Sequence, residues 1–228
     1  MKYFFQSSIT KILVLFLLFS ISQCSPTSQM ETWESINSVD DVCKAYPNRM
    51  KAMLSSFNLE LEGLEPTNKA YKAGDIEKAC TALLNYYKTG NTAQHLRIAL
   101  PESSDKTSSL ADSITQDIYT FQTVTGKVPR IEGGHLKWDH NGPEDDIEWA
   151  WALNRHYPVN YLLQEYFKNG NPKYIEYIDE FIKDWIIQSA PYPAVKSRTA
   201  MWRGLEVSFR VKMWANIFYN FIGTDYIS

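Results

Sequence analysis

Hydrophobic positions return at helical spacing over most of this chain. Between Val39 and Phe57, residues Val42, Ala45, Met50, Met53, Leu54 and Phe57 recur near a 3.6-residue period, with a break or kink expected at Pro47. Ile76, Ala79, Cys80, Leu83, Leu84 and Tyr87 form the apolar stripe of a helix over 75–87, capped by Asp75 in front and Gly90 behind. A short helix is expected over Leu110 to Phe121. From Glu144 the pattern becomes densely helical. One helix covers 144–168 and stops at Asn169-Gly170; the next opens at Asn171-Pro172 and runs to Ser189, with Tyr174, Ile178, Phe181, Ile182 and Trp185 on one face. A last helix spans 201–221, and no alternating strand pattern stands out. The segments 89–107, 125–146 and 190–198 are rich in polar and turn-forming residues and read as loops. KAGDIEKACTALLNYY and KNGNPKYIEYIDEFIKDW share one form, a gap, a cap and an amphipathic helix, without a strict repeat. The expected class is all-α, built from stacked helical hairpins.

The N-terminal residues carry a different pattern. Lys2 precedes the apolar run ILVLFLLF, which is too short to span a bilayer and fits a secretory signal over 1–24. Cys24 stands where a lipoprotein signal places its acylated cysteine, although Gln23 departs from the usual small residue; simple cleavage nearby is the alternative. Residues 25–35 read as a polar tether and 36–228 as the folded domain. The expectation is an exported protein, periplasmic or held at the outer membrane of a Gram-negative bacterium through Cys24. Export permits disulfides, and for Cys43 and Cys80 a bridge and two buried thiols both remain open.

Composition narrows the partners. A net charge of -3 argues against nucleic acid and means that an anionic ligand needs a local basic cleft, for which Lys127, Arg130 and Lys137 are candidates. The 7 Trp and 14 Tyr suit either core packing or stacking on sugar rings. The loop HLKWDHNGPEDD holds His135, Trp138, Asp139, His140 and Asn141, whose spacing fits no standard metal site. Neither a metal nor a cofactor is expected.

The densest cluster of functional side chains is DIEWAWALNRHYP. On a helix Trp151, Asn154 and Arg155 share a face. Pro158 cannot donate to the carbonyl of Asn154, so the helix is expected to bend near Asn154, Arg155 and His156. Such a bend either turns polar side chains towards a cleft or lets them satisfy local backbone groups. In WRGLEVSFR, Arg203, Glu206 and Arg210 repeat at helical spacing. Glu206 and Arg210 are expected to pair, and Arg203 to face a groove.

Together WDHNG, DIEWAWALNRH, WRGLEVSFR and GDIEKACTALLNYY resemble the N-terminal helical region of heparinase II/III-type polysaccharide lyases, the heparan-sulfate lyases in particular. The resemblance runs from about residue 35 to the C-terminus. It implies an incomplete α/α toroid, followed in the family by a larger β-sandwich. It also implies cleavage of a uronate glycosidic bond by β-elimination. In that chemistry a donor neutralises the uronate carboxylate, a base removes the C5 proton and an acid protonates the leaving oxygen. Asn154 matches the family's carboxylate-neutralising Asn, with Arg155 and His156 following in its NRH pattern. The implied catalytic pair is Asn154 and His156, and the implied substrate-binding set is Arg155, Trp151, Trp138, His140 and Arg203. The family's Tyr acid/base finds no matching motif; Tyr219 lies on the last helix without one.

On this resemblance the chain is expected to be a truncated domain, lacking a C-terminal β-rich part and binding an acidic polysaccharide. The alternatives are a non-catalytic glycan- or partner-binding helical module at the cell surface, an alginate-type lyase fragment, and a helical scaffold without a sugar role.

Overall fold

The computed structural model describes residues 33–226, apart from 91, 191, 192 and 194. The expected signal segment, Cys24 and most of the expected tether lie outside the described residues.

A first group of helices surrounds its own small core. Helix α1 (Val39–Ala45) is capped by Ser38, whose hydroxyl accepts from the Asp41 N–H. Pro47 opens α2 (Pro47–Ser55), so of the break or kink expected there the structure has the break, between two helices. Next comes α3 (Glu65–Lys72), which the sequence pattern did not show. It is short and mostly polar, and it buries Thr67 and Ala70. Gly74 turns the chain into α4 (Ile76–Thr89), capped by Asp75 as expected. Gly90 closes α4 in an extended rather than a left-handed conformation. Leu54, Leu59, Leu64, Ala79 and Leu83 form the centre of this core together with Cys43 and Cys80.

The second core is larger and aromatic. It begins at α5 (Ser109–Ile114), and here the expected helix to Phe121 is replaced by a β-hairpin. Asp117 takes a left-handed conformation and ends the helical run. Strand β1 (Ile118–Phe121) then pairs antiparallel with β2 (Val124–Lys127), Ile118 opposite Lys127 and Phe121 opposite Val124. The intervening Gln122 and Thr123 both have positive φ, the backbone a two-residue hairpin requires. Asn-Gly or Asp-Gly normally signals such a turn, and its absence hid the hairpin. Tyr119 and Phe121 point into the core.

The expected helix over 144–168 is two helices, α6 (Ile147–Asn154) and α7 (Tyr157–Asn169), joined at a corner. Gly170 ends α7 in the left-handed conformation, and a Cβ there would lie 1.9 Å from the Glu102 carbonyl oxygen, so the position demands glycine. Helix α8 (Lys173–Gln188) follows; the Asn171 side chain accepts from the Lys173 N–H. The final helix is α9 (Gly204–Phe221). Trp149, Leu162, Tyr166, Ile178, Phe181 and Phe221 are among the residues that fill this core. Tyr87 meets the rings of Phe218 and Tyr219 edge-on where the two cores join, which makes Tyr219 part of that packing.

Candidate functional site

The α6–α7 corner is set by a proline and repaired by an arginine. Pro158 leaves the Asn154 carbonyl without a helical donor, and His156 takes a left-handed conformation (φ 60°) to turn the chain. The orphaned carbonyl accepts from Arg210 Nη1 at 2.7 Å, while Arg210 Nη2 donates to the Met201 carbonyl at 2.9 Å. The Arg210 guanidinium lies 3.8 Å over the Trp185 ring. Burial pulls its pKa down to about 10, against the opposing charge of Glu206.

Asn154 is fully buried. Its amide donates to the carbonyls of Trp138 (2.8 Å) and Ala150 (2.9 Å), and its Oδ1 accepts from the Trp185 indole at 3.0 Å. A group that neutralises a substrate carboxylate has to present an N–H to it. In this structure both amide hydrogens are committed to main-chain carbonyls, and Asn154 braces the corner.

His156 is likewise sealed, with Trp138 stacked on it at 5.5 Å and Phe181 edge-on at 4.9 Å. Its Nδ1 accepts from the Trp214 indole at 3.0 Å. The ring proton therefore sits on Nε2, which meets no acceptor among the described residues. Burial, reinforced by the charge of Arg210, holds His156 well below the usual histidine range. In this structure it is a neutral, buried imidazole.

Trp138 also lies in the core rather than along a cleft, its indole N–H donating to Asp184 Oδ2 at 2.8 Å. Asp184 further accepts from the Leu136 N–H and pairs with His135 Nδ1 at 2.6 Å, fixing the loop before the corner. A parallel brace links Asp117, Arg130 and Tyr177. Arg130, expected to add to a positive cleft, is spent there on Asp117. Asp184 and Asp117 were missed in the sequence. Asp184 did leave a signal, since it follows Phe181 by three residues on the buried side of α8.

The remaining residues form a rim. Glu206 is fully buried, and its Oε1 accepts from Arg155 Nε (3.2 Å), Arg155 Nη2 (3.0 Å) and Arg203 Nη1 (3.1 Å). The expected Glu206–Arg210 pair is thus replaced: Glu206 turns to Arg155 and Arg203, and Arg210 serves the main chain. Arg155 keeps 13% of its side chain exposed and Arg203 33%. The Arg203 guanidinium covers the Trp151 ring at 3.7 Å. Beneath it the Trp151 indole N–H and Glu206 Oε2 are shut off from solvent without a protein partner. His140 sits apart, edge-on to Trp149. Beside the corner an open groove of about 350 Å³ is lined partly by Tyr157, Asn160, Tyr161 and Gln164. Among the described residues no three His, Cys, Asp or Glu side chains converge as a metal site would require.

Comparison with known proteins gives this geometry a setting. A heparin-sulfate lyase of Bacteroides thetaiotaomicron is 27% identical over 207 residues, covering 85% of this chain and 29% of that protein. A heparin-sulfate lyase of Pedobacter heparinus is 28% identical over 175 residues, covering 74% of this chain and 26% of that protein. The chain thus spans less than a third of the curated relatives it matches. Among solved structures, heparan sulfate lyase HepC of Pedobacter heparinus superposes with a TM-score of 0.55 at 24% identity, over 78% of this chain and 29% of that one. A structure of heparinase III gives 0.53 at 23% identity, over 75% and 27%. The fold is the incomplete α/α toroid expected, with the small hairpin added. The family model described as heparinase II/III N-terminus matches residues 53–228, and the chain belongs to that family.

Proposed function

We propose that this chain is the N-terminal helical part of a polysaccharide lyase that cleaves a heparin- or heparan-sulfate-type glycan by β-elimination. The observation that carries the proposal is the family match over 53–228, together with relatives named heparin-sulfate lyases. Because those relatives are more than three times as long as the matched region, elimination is proposed for a protein with a further, β-rich domain. Folding of 36–228 as one α/α domain, export, and anchoring through a lipidated Cys24 belong to the same proposal. Absence of palmitate-analogue label on Cys24 would remove the anchor.

Within this chain the groups offered to the glycan are Arg203, Trp151 and the exposed edge of Arg155. A sulfate or uronate carboxylate can compete with Glu206 for Arg203, because that guanidinium is one-third exposed and held by one hydrogen bond. Drawing Arg203 off the Trp151 ring frees an aromatic face for a sugar and gives the unpartnered indole N–H an acceptor. A second reading, a glycan-binding module without catalysis of its own, is favoured by the burial of Asn154 and His156.

The test is binding of the full chain to immobilised heparan sulfate, with alginate for comparison, and an assay for unsaturated-uronate absorbance. Arg203→Ala is expected to weaken heparan-sulfate binding about threefold at low salt with unchanged helicity. Equal binding by wild type and variant would take Arg203 out of the site. Tighter binding to alginate would shift the substrate class to the alginate type. Turnover by the isolated chain would exclude the module reading.

A further inference from the structure

Cys43 and Cys80 are buried free thiols on two helices that pack together, α1 and α4, in the first core. The two side chains share that core, and each thiol perturbs the other's titration. A cysteine can serve as a small core hydrophobe, but two thiols that interact across separate helices also carry paired redox chemistry. Nor does the pair suit nucleophilic or metal chemistry. Burial pushes the Cys80 thiol up to about 12, and Cys43 is raised by burial and by the carboxylates of Glu77 and Asp40. Thiolates, the form both chemistries need, are suppressed on each side. What the contact provides is proximity of two sulfurs across a helix pair. The geometry points to a Cys43–Cys80 disulfide that clips α1 onto α4 when the chain meets a disulfide oxidant.

The oxidant is a thiol–disulfide exchange partner, small or protein-borne. One cysteine loses its proton and its sulfur attacks the oxidant's disulfide, releasing one thiol and leaving a mixed disulfide on the protein. The second cysteine loses its proton and attacks the protein sulfur of that mixed disulfide, releasing the second thiol. The protein gives up two protons and two electrons, and the oxidant's disulfide takes them up as two thiols. Burial and thiolate suppression make exchange slow in the folded chain, so the bond closes during folding or when the short helix α1 opens. It is then protected from reduction. This inference stands apart from the glycan reading, since neither helix contributes to the rim.

The experiment is refolding of the reduced, denatured full chain in an oxidised and reduced glutathione buffer. Alkylation, digestion and mass spectrometry follow without reduction. The expected result is a Cys43–Cys80 linked peptide as the main product, with Cys24 alkylated. Reduction should then lower the urea midpoint by on the order of 1 M. Cys43→Ala/Cys80→Ala should show no response to reductant. Alkylation of both thiols after oxidative refolding, a link to Cys24 instead, or equal midpoints before and after reduction would each overturn the inference. The peptide map decides the matter even where the double variant folds poorly.

Discussion

Asn154 joins three parts of the molecule through one amide. It holds the Trp138 carbonyl of the preceding loop, the Ala150 carbonyl of its own helix and the Trp185 indole of α8. Truncation would strand the Trp138 carbonyl and the Trp185 N–H in a fully buried site. Each stranded group costs about 1–3 kcal/mol, so Asn154→Ala is expected to lose about 3 kcal/mol of stability. Chemical denaturation measures this directly; a loss under about 1 kcal/mol would show that the bonds carry little weight. The sequence brought Asn154, Arg155 and His156 together correctly, because Pro158 acts locally and its steric rule needs no tertiary knowledge. The direction of the side chains was not legible. Helical spacing tells which residues share a face, not whether that face looks inward. The group that decides the matter, Arg210, comes from a different helix and caps the Asn154 carbonyl across 56 positions. Arg203 differs from Arg210 by two turns of helix, yet one meets solvent and the other main chain.

At the level of elements, the joint between α6 and α7 carries a pH dependence. His156 closes the corner in a left-handed conformation and is held neutral by burial and by Arg210. In the unfolded chain a histidine takes up a proton near pH 6.5; in the fold its pKa lies well below that. As pH falls through about 6.5 the unfolded state gains a proton that the folded state refuses, so stability declines with a limiting slope of about 1.4 kcal/mol per pH unit. The decline continues down to the folded pKa; above pH 7 the residue contributes no slope. His156→Asn keeps a residue tolerant of the left-handed backbone and removes the titration. Urea midpoints between pH 5 and 7 are expected to fall for wild type and to stay nearly flat for the variant. Parallel curves would assign the acid sensitivity elsewhere. Legibility at this scale followed length and apolar content. The long amphipathic α4, α8 and α9 were readable from periodicity. Helix α3 and the 118–127 hairpin were not, since one is short and mostly polar and the other turns on Gln-Thr, without the glycine or asparagine that marks such turns.

The described residues hold two hydrophobic cores, joined through a connecting segment. Residues of 43–83 pack around one, and residues of 111–221 pack around the other. Hydrophobic periodicity revealed the helices of both, but not how they dock, because docking rests on ring edges and single amides with no period of their own. Tyr87 meets Phe218 and Tyr219, and Ser104 holds the end of α7 through the Asn169 carbonyl. The most specific link is Asn220, which accepts from the Ile98 N–H at 2.7 Å and donates to the Leu96 carbonyl at 3.0 Å, tying the connecting segment to α9. Regions with few buried contacts open below the global unfolding free energy, and the connecting segment, where Ile98 and Leu100 are exposed, is one. Asn220→Ala removes both bonds while leaving each core intact. Amide hydrogen exchange is therefore expected to accelerate several-fold at 94–98 and in the last turn of α4, with α7 and α8 unchanged. If exchange instead rose evenly across both cores, they would be a single cooperative unit and the segment at 94–98 would not be a joint. Confinement of the change to the joint would mean that the first core can shift against the rim at Arg203 without unfolding either one.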